Sequence, residues 1–159
     1  IARNAHGERL VRKNGLADRR MVLYASTETH SCIQKAAEVC GLGSEAVRQV
    51  CVQADYRMDV SHLRQRIAQD KADGFTPFCV VGNAGTVNTG AIDPLDEMQA
   101  VCREENLWFH IDGAFGALAK LVPEYQQALQ PLEQADSVAF DLHKWMYLPY
   151  EVGCLLVKD

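Results

Sequence analysis

A lysine set between an imidazole and an indole, His143-Lys144-Trp145, is the residue in this sequence best suited to covalent chemistry. Its apolar and aromatic neighbours Trp145, Met146 and Tyr147 predict partial burial. Burial favours the neutral amine, the form that makes a Schiff base with a carbonyl. On its own, Lys144 reads better as a lysine snorkelling at a strand edge. Asp112, 32 residues earlier, changes that balance. A cofactor joined to lysine through an imine and carrying a pyridine ring needs a carboxylate opposite the ring nitrogen. The carboxylate keeps that nitrogen protonated and the ring able to accept electrons. Ala114 is small enough to lie against one face of such a ring, and His30 is placed to stack on the other. The commoner role for a lone histidine at a helix start is a hydrogen bond to nearby backbone.

Two other constellations carry less. His110-x-Asp112 with the later His143 offers two imidazoles and a carboxylate, a ligand set known for zinc or iron. No H-E-x-x-H or similar tight pair accompanies them, and the reading preferred here has no metal. Gly41-Leu42-Gly43-Ser44-Glu45-Ala46 matches a relaxed dinucleotide fingerprint. That fingerprint must follow a strand and open a helix. Here the order is reversed, so the segment is a helix stop and a turn.

The elements that must position these residues follow from hydrophobic patterning. Short, nearly continuous apolar runs predict strands at 21–25, 47–52, 78–82, 107–111, 137–141 and 154–157. Amphipathic stretches between them predict helices at 30–40, stopped by Gly41, and at 61–72, capped by a serine and stopped by Gly74. A third, over 93–105, takes Asp93 as N-cap and Pro94 at its first position. A shorter helix is expected after Pro123. This alternation predicts an α/β fold: a mostly parallel sheet with helices on both faces. About a dozen residues, with Pro149 and Gly153, precede the last strand, too few for a helical crossover, so it is expected to run antiparallel. In such sheets ligands bind beyond the carboxyl ends of the strands. His30, Thr86, Asp112 and Lys144 all fall at such ends.

The 159 residues carry 16 Lys+Arg against 21 Asp+Glu, a net charge of −5, and contain 48% hydrophobic residues. That content fills one core, and one domain is expected. The acidic balance, with no basic run, argues against nucleic acid and against an anionic membrane surface as partners. No apolar stretch approaches the roughly 18 residues of a membrane span. Six cysteines without a C-x-x-C pair sit in apolar patterns and read as free thiols of a reduced, cytoplasmic protein. The opening Ile1-Ala2-Arg3-Asn4 reads like the middle of a helix, and the chain is expected to be a piece of a longer one.

Taken together, the motifs resemble the group II pyridoxal-phosphate-dependent amino acid decarboxylases, the family of the aromatic-amino-acid, histidine and glutamate decarboxylases. The matching segments are Tyr24–Ser31, Pro77–Gly90, Trp108–Gly116, and Ala135-Asp136-Ser137 running on to Asp141-Leu142-His143-Lys144-Trp145. The resemblance implies the central portion of an aspartate-aminotransferase-type large domain over 1–159. It implies pyridoxal 5'-phosphate as cofactor, an L-amino acid as substrate and a homodimer. By position it implies an imine on Lys144, Asp112 on the pyridine nitrogen, and His30 and Ala114 on the two ring faces. Thr86 would lie near the ring oxygen or substrate, and His143 on the phosphate side. Asp141 stands where the aromatic-amino-acid branch has Asn, and a carboxylate suits a phosphate poorly. The family's phosphate-binding loop would lie upstream of this chain; its catalytic-tyrosine loop and small domain would lie downstream. The implied reaction is decarboxylation. Another lyase or an aminotransferase on the same fold is the alternative, and from a different class an inactive fragment that only folds or oligomerises.

Overall fold

The computed structural model describes residues 1–6 and 10–158. Two short helices, α1 (Ala2–His6) and α2 (Leu10–Asn14), precede strand β1 (Met21–Ser26). Then come α3 (Cys32–Val39), β2 (Val47–Val50), α4 (Val60–Ala72), β3 (Thr76–Asn83), α5 (Leu95–Glu105) and β4 (Trp108–Asp112). Three single 3-10 turns lead to β5 (Ser137–Asp141), the one-turn helix α6 (Leu142–Trp145) and β6 (Gly153–Val157). The six strands form one sheet in the order β2-β1-β3-β4-β5-β6. All neighbours pair in parallel except β5 and β6, which are antiparallel.

Strand residues alternate between two hydrophobic layers, as the pleat requires. Val22, Tyr24, Val80, Phe109, Ile111 and Val138 face the layer that holds Leu63 and Ile67 of α4 and Leu95, Met98 and Val101 of α5. Met21, Leu23, Ala25, Cys79 and Val81 face the opposite layer with Ala37 of α3 and Val11 of α2. The same parity carries Asn83, His110, Asp112, Ala139 and Asp141 to the α3 side. Past the irregularity where Phe78 and Cys79 share one layer, alternation along the strands decides which polar residues can share a site.

Several boundaries differ from the patterning, each for a local reason. β2 ends at Val50 because the next amide, of Cys51, donates to His62 Nδ1 at 2.9 Å and Val52 bridges Met58. α3 begins at Cys32, after His30. α4 is capped by Asp59, whose Oδ1 accepts from the His62 amide at 3.1 Å, and not by a serine. The expected cap Asp93 is instead buried, with Pro94 standing before α5. The expected helix after Pro123 is only a turn of 3-10 helix over Pro123–Tyr125. Gly41 and Gly74 do stop their helices, with φ of +73° and +76°.

Candidate functional site

A cavity of about 460 Å³ opens at the carboxyl ends of β3, β4 and β5, roofed by the start of α3. Its volume falls in the range of roughly 300–1,000 Å³ typical of small-molecule sites. His30, Cys32 and Ile33 line it from the β1–α3 side, Asn83 and Gly85 from β3, and His110, Asp112 and Ala114 from β4. Ala139, Asp141 and Lys144 close it from β5 and α6. A second, apolar cavity of about 270 Å³ lies nearer the amino ends of the same strands and shares Ile33 and His110 with the first.

Four of the six residues expected to form a site thus share one cavity: His30, Asp112, Ala114 and Lys144. Asp112 ends β4, beside β5, which leads directly into α6 and Lys144. The Asp112 carboxylate accepts one hydrogen bond, from the Ala114 amide at 3.1 Å. None of the ion pairs among the described residues involves it. His30 Nδ1 accepts from the Cys32 amide at 3.2 Å, so this imidazole both lines the cavity and fixes the turn into α3. The modest role for a lone histidine and the cavity role coexist.

The other two residues lie off the cavity wall. Thr86 is buried and its hydroxyl meets that of Thr89 at 2.7 Å, leaving Gly85 and Val87 to face the cavity. His143 turns toward the strand that follows, with Nδ1 at 3.1 Å from both the amide and the carbonyl of Val152. Lys144 is partly buried as expected, but not by the flanking residues that were to cover it. Its side chain is 39% exposed, and Trp145, Met146 and Tyr147 are exposed as well. Lys144 Nζ is held by Asp141 Oδ2 at 2.9 Å, and the same oxygen lies 3.7 Å from His143 Nε2. Asp141 thus pairs with Lys144 within its own turn, a contact that their i,i+3 spacing makes natural.

Buried polar groups brace the cavity floor. Asp93 accepts from the amides of Met58 and Asn83, each at 2.8 Å, and from Asn83 Nδ2 at 2.8 Å. Asn83 Nδ2 also reaches Thr29 Oγ1 at 3.0 Å and Ser26 Oγ at 3.3 Å. This network ties the end of β3 to the turn that carries His30. Burial pushes the Asp93 carboxyl up, partly offset by those donors. Burial likewise lowers His110, against the opposing pull of Asp112; its Nδ1 meets Ser137 Oγ at 2.8 Å. Cys32 is raised by burial and by Asp112, with Lys144 acting the other way. Asp93 was legible only as a helix cap, since an Asp-Pro pair before an amphipathic run reads that way; its burial depends on β3 and the Met58 segment meeting in space.

The loops after β3 and β4 meet too closely for a side chain at Gly116. A Cβ on Gly116 would stand 2.3 Å from the Ala84 carbonyl oxygen, and Gly85 holds φ +88° against Phe115. Phe115 in turn meets Trp145 edge to face at 5.5 Å between centroids, joining this loop to the turn that bears Lys144.

Such a cavity fits a pyridoxal-type group on grounds of its own donors: an unpaired carboxylate, an amine on the neighbouring strand end, an imidazole and a small alanine around one space. The comparisons with known proteins agree. The chain belongs to the pyridoxal-dependent decarboxylase family, matching its conserved domain over residues 3–159. It is 39% identical over 138 residues to an aromatic-L-amino-acid decarboxylase of Bacillus atrophaeus, covering 87% of this chain and 29% of that one. The crystal structure of mouse CSAD in apo form superposes with a TM-score of 0.95 at 35% identity, over 99% of this chain and 33% of that one. Oryza sativa TDC, crystallised with PLP, superposes with a TM-score of 0.89 at 29% identity, over 98% of this chain and 34% of that one. The chain therefore spans about a third of the length of the relatives it matches. The mostly parallel α/β sheet with its antiparallel last strand is the fold of these decarboxylases.

Proposed function

We propose that residues 1–159 are the central part of the cofactor-binding large domain of a pyridoxal-phosphate-dependent carboxy-lyase acting on an L-amino acid. The observation that carries this reading is the convergence of Lys144, Asp112, His30 and Ala114 on one cavity at adjoining strand ends. When bound, pyridoxal phosphate supplies an aldehyde carbon and an electron-accepting ring. Lys144 provides the amine that anchors it. The Asp112 carboxylate, on the cavity wall and in no ion pair among the described residues, would hold a proton at the ring nitrogen and offset its charge, the preorganised electrostatic contribution that is often the largest in catalysis. His30, its imidazole oriented by the Cys32 amide, would cover one face of the ring. Ala114 would leave room on the other face, and Phe115, which lines the cavity, is held by its edge-to-face contact with Trp145.

Thr86 acts in this proposal through the turn it braces with Thr89, shaping Gly85 and Val87. His143 acts by fixing α6 to the Val152 segment. The six cysteines are unpaired, which supports a reducing, cytoplasmic setting. Pairing with a second copy is supported by the exposed apolar residues of β6, with Leu155 56% and Leu156 57% exposed. The test is product analysis on the longer parent chain that this reading requires. Amine and carbon dioxide are expected from an L-amino acid; a keto acid in their place would favour the aminotransferase alternative.

A further inference from the structure

Anchoring a cofactor through Lys144 leaves Asp141 unexplained, and the structure assigns it a task that rests on that reading. We propose that Asp141 is the positioning residue of Lys144: the counter-ion that holds its ammonium in the cavity and restrains its attack on aldehydes until one is seated there.

The backbone builds this pair. Asp141 is the last residue of β5, on the sheet face that carries Asp112 and His110, and Lys144 follows within the single turn of α6. Their charged atoms meet at 2.9 Å, and both side chains line the cavity. Two carboxylates, Asp112 and Asp141, line the cavity with this ammonium; Lys144 pairs with Asp141, and Asp112 is in none of the ion pairs among the described residues. His143, held by Val152, has Nε2 3.7 Å from the same Asp141 oxygen, so Lys144 is the nearer partner of that oxygen. The remaining charged or titratable groups on this cavity are His30, Cys32, His110 and Asp112.

The chemistry of condensation gives the contact its consequence. An ammonium has no free electron pair. Before Nζ bonds to an aldehyde carbon it must give up a proton and its hold on Asp141. As the bond forms, the carbonyl oxygen leaves as water with two of the three ammonium protons, and one proton and the positive charge stay on the nitrogen. Charge is conserved throughout, and Asp141 is neither consumed nor changed. The contact at 2.9 Å must be broken before Nζ can turn to a carbon, and that is the restraint Asp141 places on the first step.

Reductive methylation of the chain without cofactor tests this directly. Formaldehyde and cyanoborohydride at neutral pH methylate lysines at rates that follow their free amine, and digestion with mass spectrometry resolves each site. Lys120 is the internal reference, since it pairs with Glu133 at 2.8 Å, far from the change. Asp141→Asn and Asp141→Ser should each raise the Lys144 rate relative to Lys120 by roughly two- to fivefold, the scale of a partly exposed ion pair. A ratio unchanged or lowered in both variants would overturn the proposal. Parallel samples treated with pyridoxal phosphate and borohydride separate the two readings. Absence of the reduced cofactor from Lys144 in every chain would contradict the cofactor assignment, while the methylation ratio still decides the role of Asp141.

Discussion

At the scale of single residues, the site divides its labour among groups whose environments differ sharply. Lys144→Ala should abolish the visible absorbance that pyridoxal phosphate gives on binding, and Lys144→Arg should not restore it, because a guanidinium stays protonated and makes no imine. Absorbance spectra of the three proteins at equal cofactor decide the point. Asp112→Asn keeps the shape but removes the charge facing the ring nitrogen. Turnover of the parent enzyme should fall by roughly a hundred- to a thousandfold, the scale of losing one preorganised electrostatic partner. His110 offers a pH signature. Burial lowers its pKa in the fold below the ordinary 6.5, so the unfolded chain binds a proton that the folded chain refuses. Between those two values the unfolded state holds more protons, and stability rises with pH. Urea melts from pH 5 to 7 should show that rise, and His110→Gln should flatten it. An unchanged slope in the variant would mean that His110 is solvated.

Elements matter because they convert these residues into neighbours. Asp93 is the clearest case: replacing it with Ala strands the Met58 and Asn83 amides and frees the tether to Thr29, at a cost of about 3 kcal/mol for buried donors left unpaired. Cofactor affinity should fall together with the thermal midpoint, because the turn bearing His30 loses its brace. Gly116→Ala should act similarly through sterics alone, since its Cβ meets the Ala84 carbonyl at 2.3 Å. Most of this layer was legible in the sequence. Continuous apolar runs at strand length, glycines at helix ends and the short connection before β6 gave the sheet, its parallel sense and its one reversal. That Lys144, Asp112, Ala114 and His30 gather at one cavity was legible because a strand-helix alternation places all four at carboxyl strand ends. Thr86, Asp93 and the exposure of the residues flanking Lys144 were not. Each depends on which way a side chain turns inside a loop or a one-turn helix, where no periodicity constrains it. The partner of Asp141 lay in plain spacing, three residues away, yet a helical turn had first to be placed there.

For the whole molecule, the sheet ends on β6 with apolar residues in solvent, and the cavity is walled on the sides that this chain supplies. Self-association that grows with concentration is expected, and sedimentation velocity across a dilution series measures it. Decarboxylation by residues 1–159 alone should be negligible with aromatic, acidic or basic amino acids at saturating pyridoxal phosphate. A phosphate is held chiefly by backbone donors at a helix start, and at the start of α3, which roofs this cavity, the Cys32 amide is already donated to His30 Nδ1 and the Ile33 amide to the His30 carbonyl. Even misplacement of catalytic groups by about 1 Å costs roughly a hundredfold. Loading of the lysine is a simpler event than turnover and bears most directly on the assignment. The chain is mixed with excess pyridoxal phosphate, reduced with borohydride, digested, and its lysine peptides are mapped by mass spectrometry. The reduced cofactor is expected on the peptide containing His143-Lys144-Trp145, in preference to those with Lys35, Lys71 or Lys120; label spread evenly over those lysines, or concentrated on any of them, would contradict it.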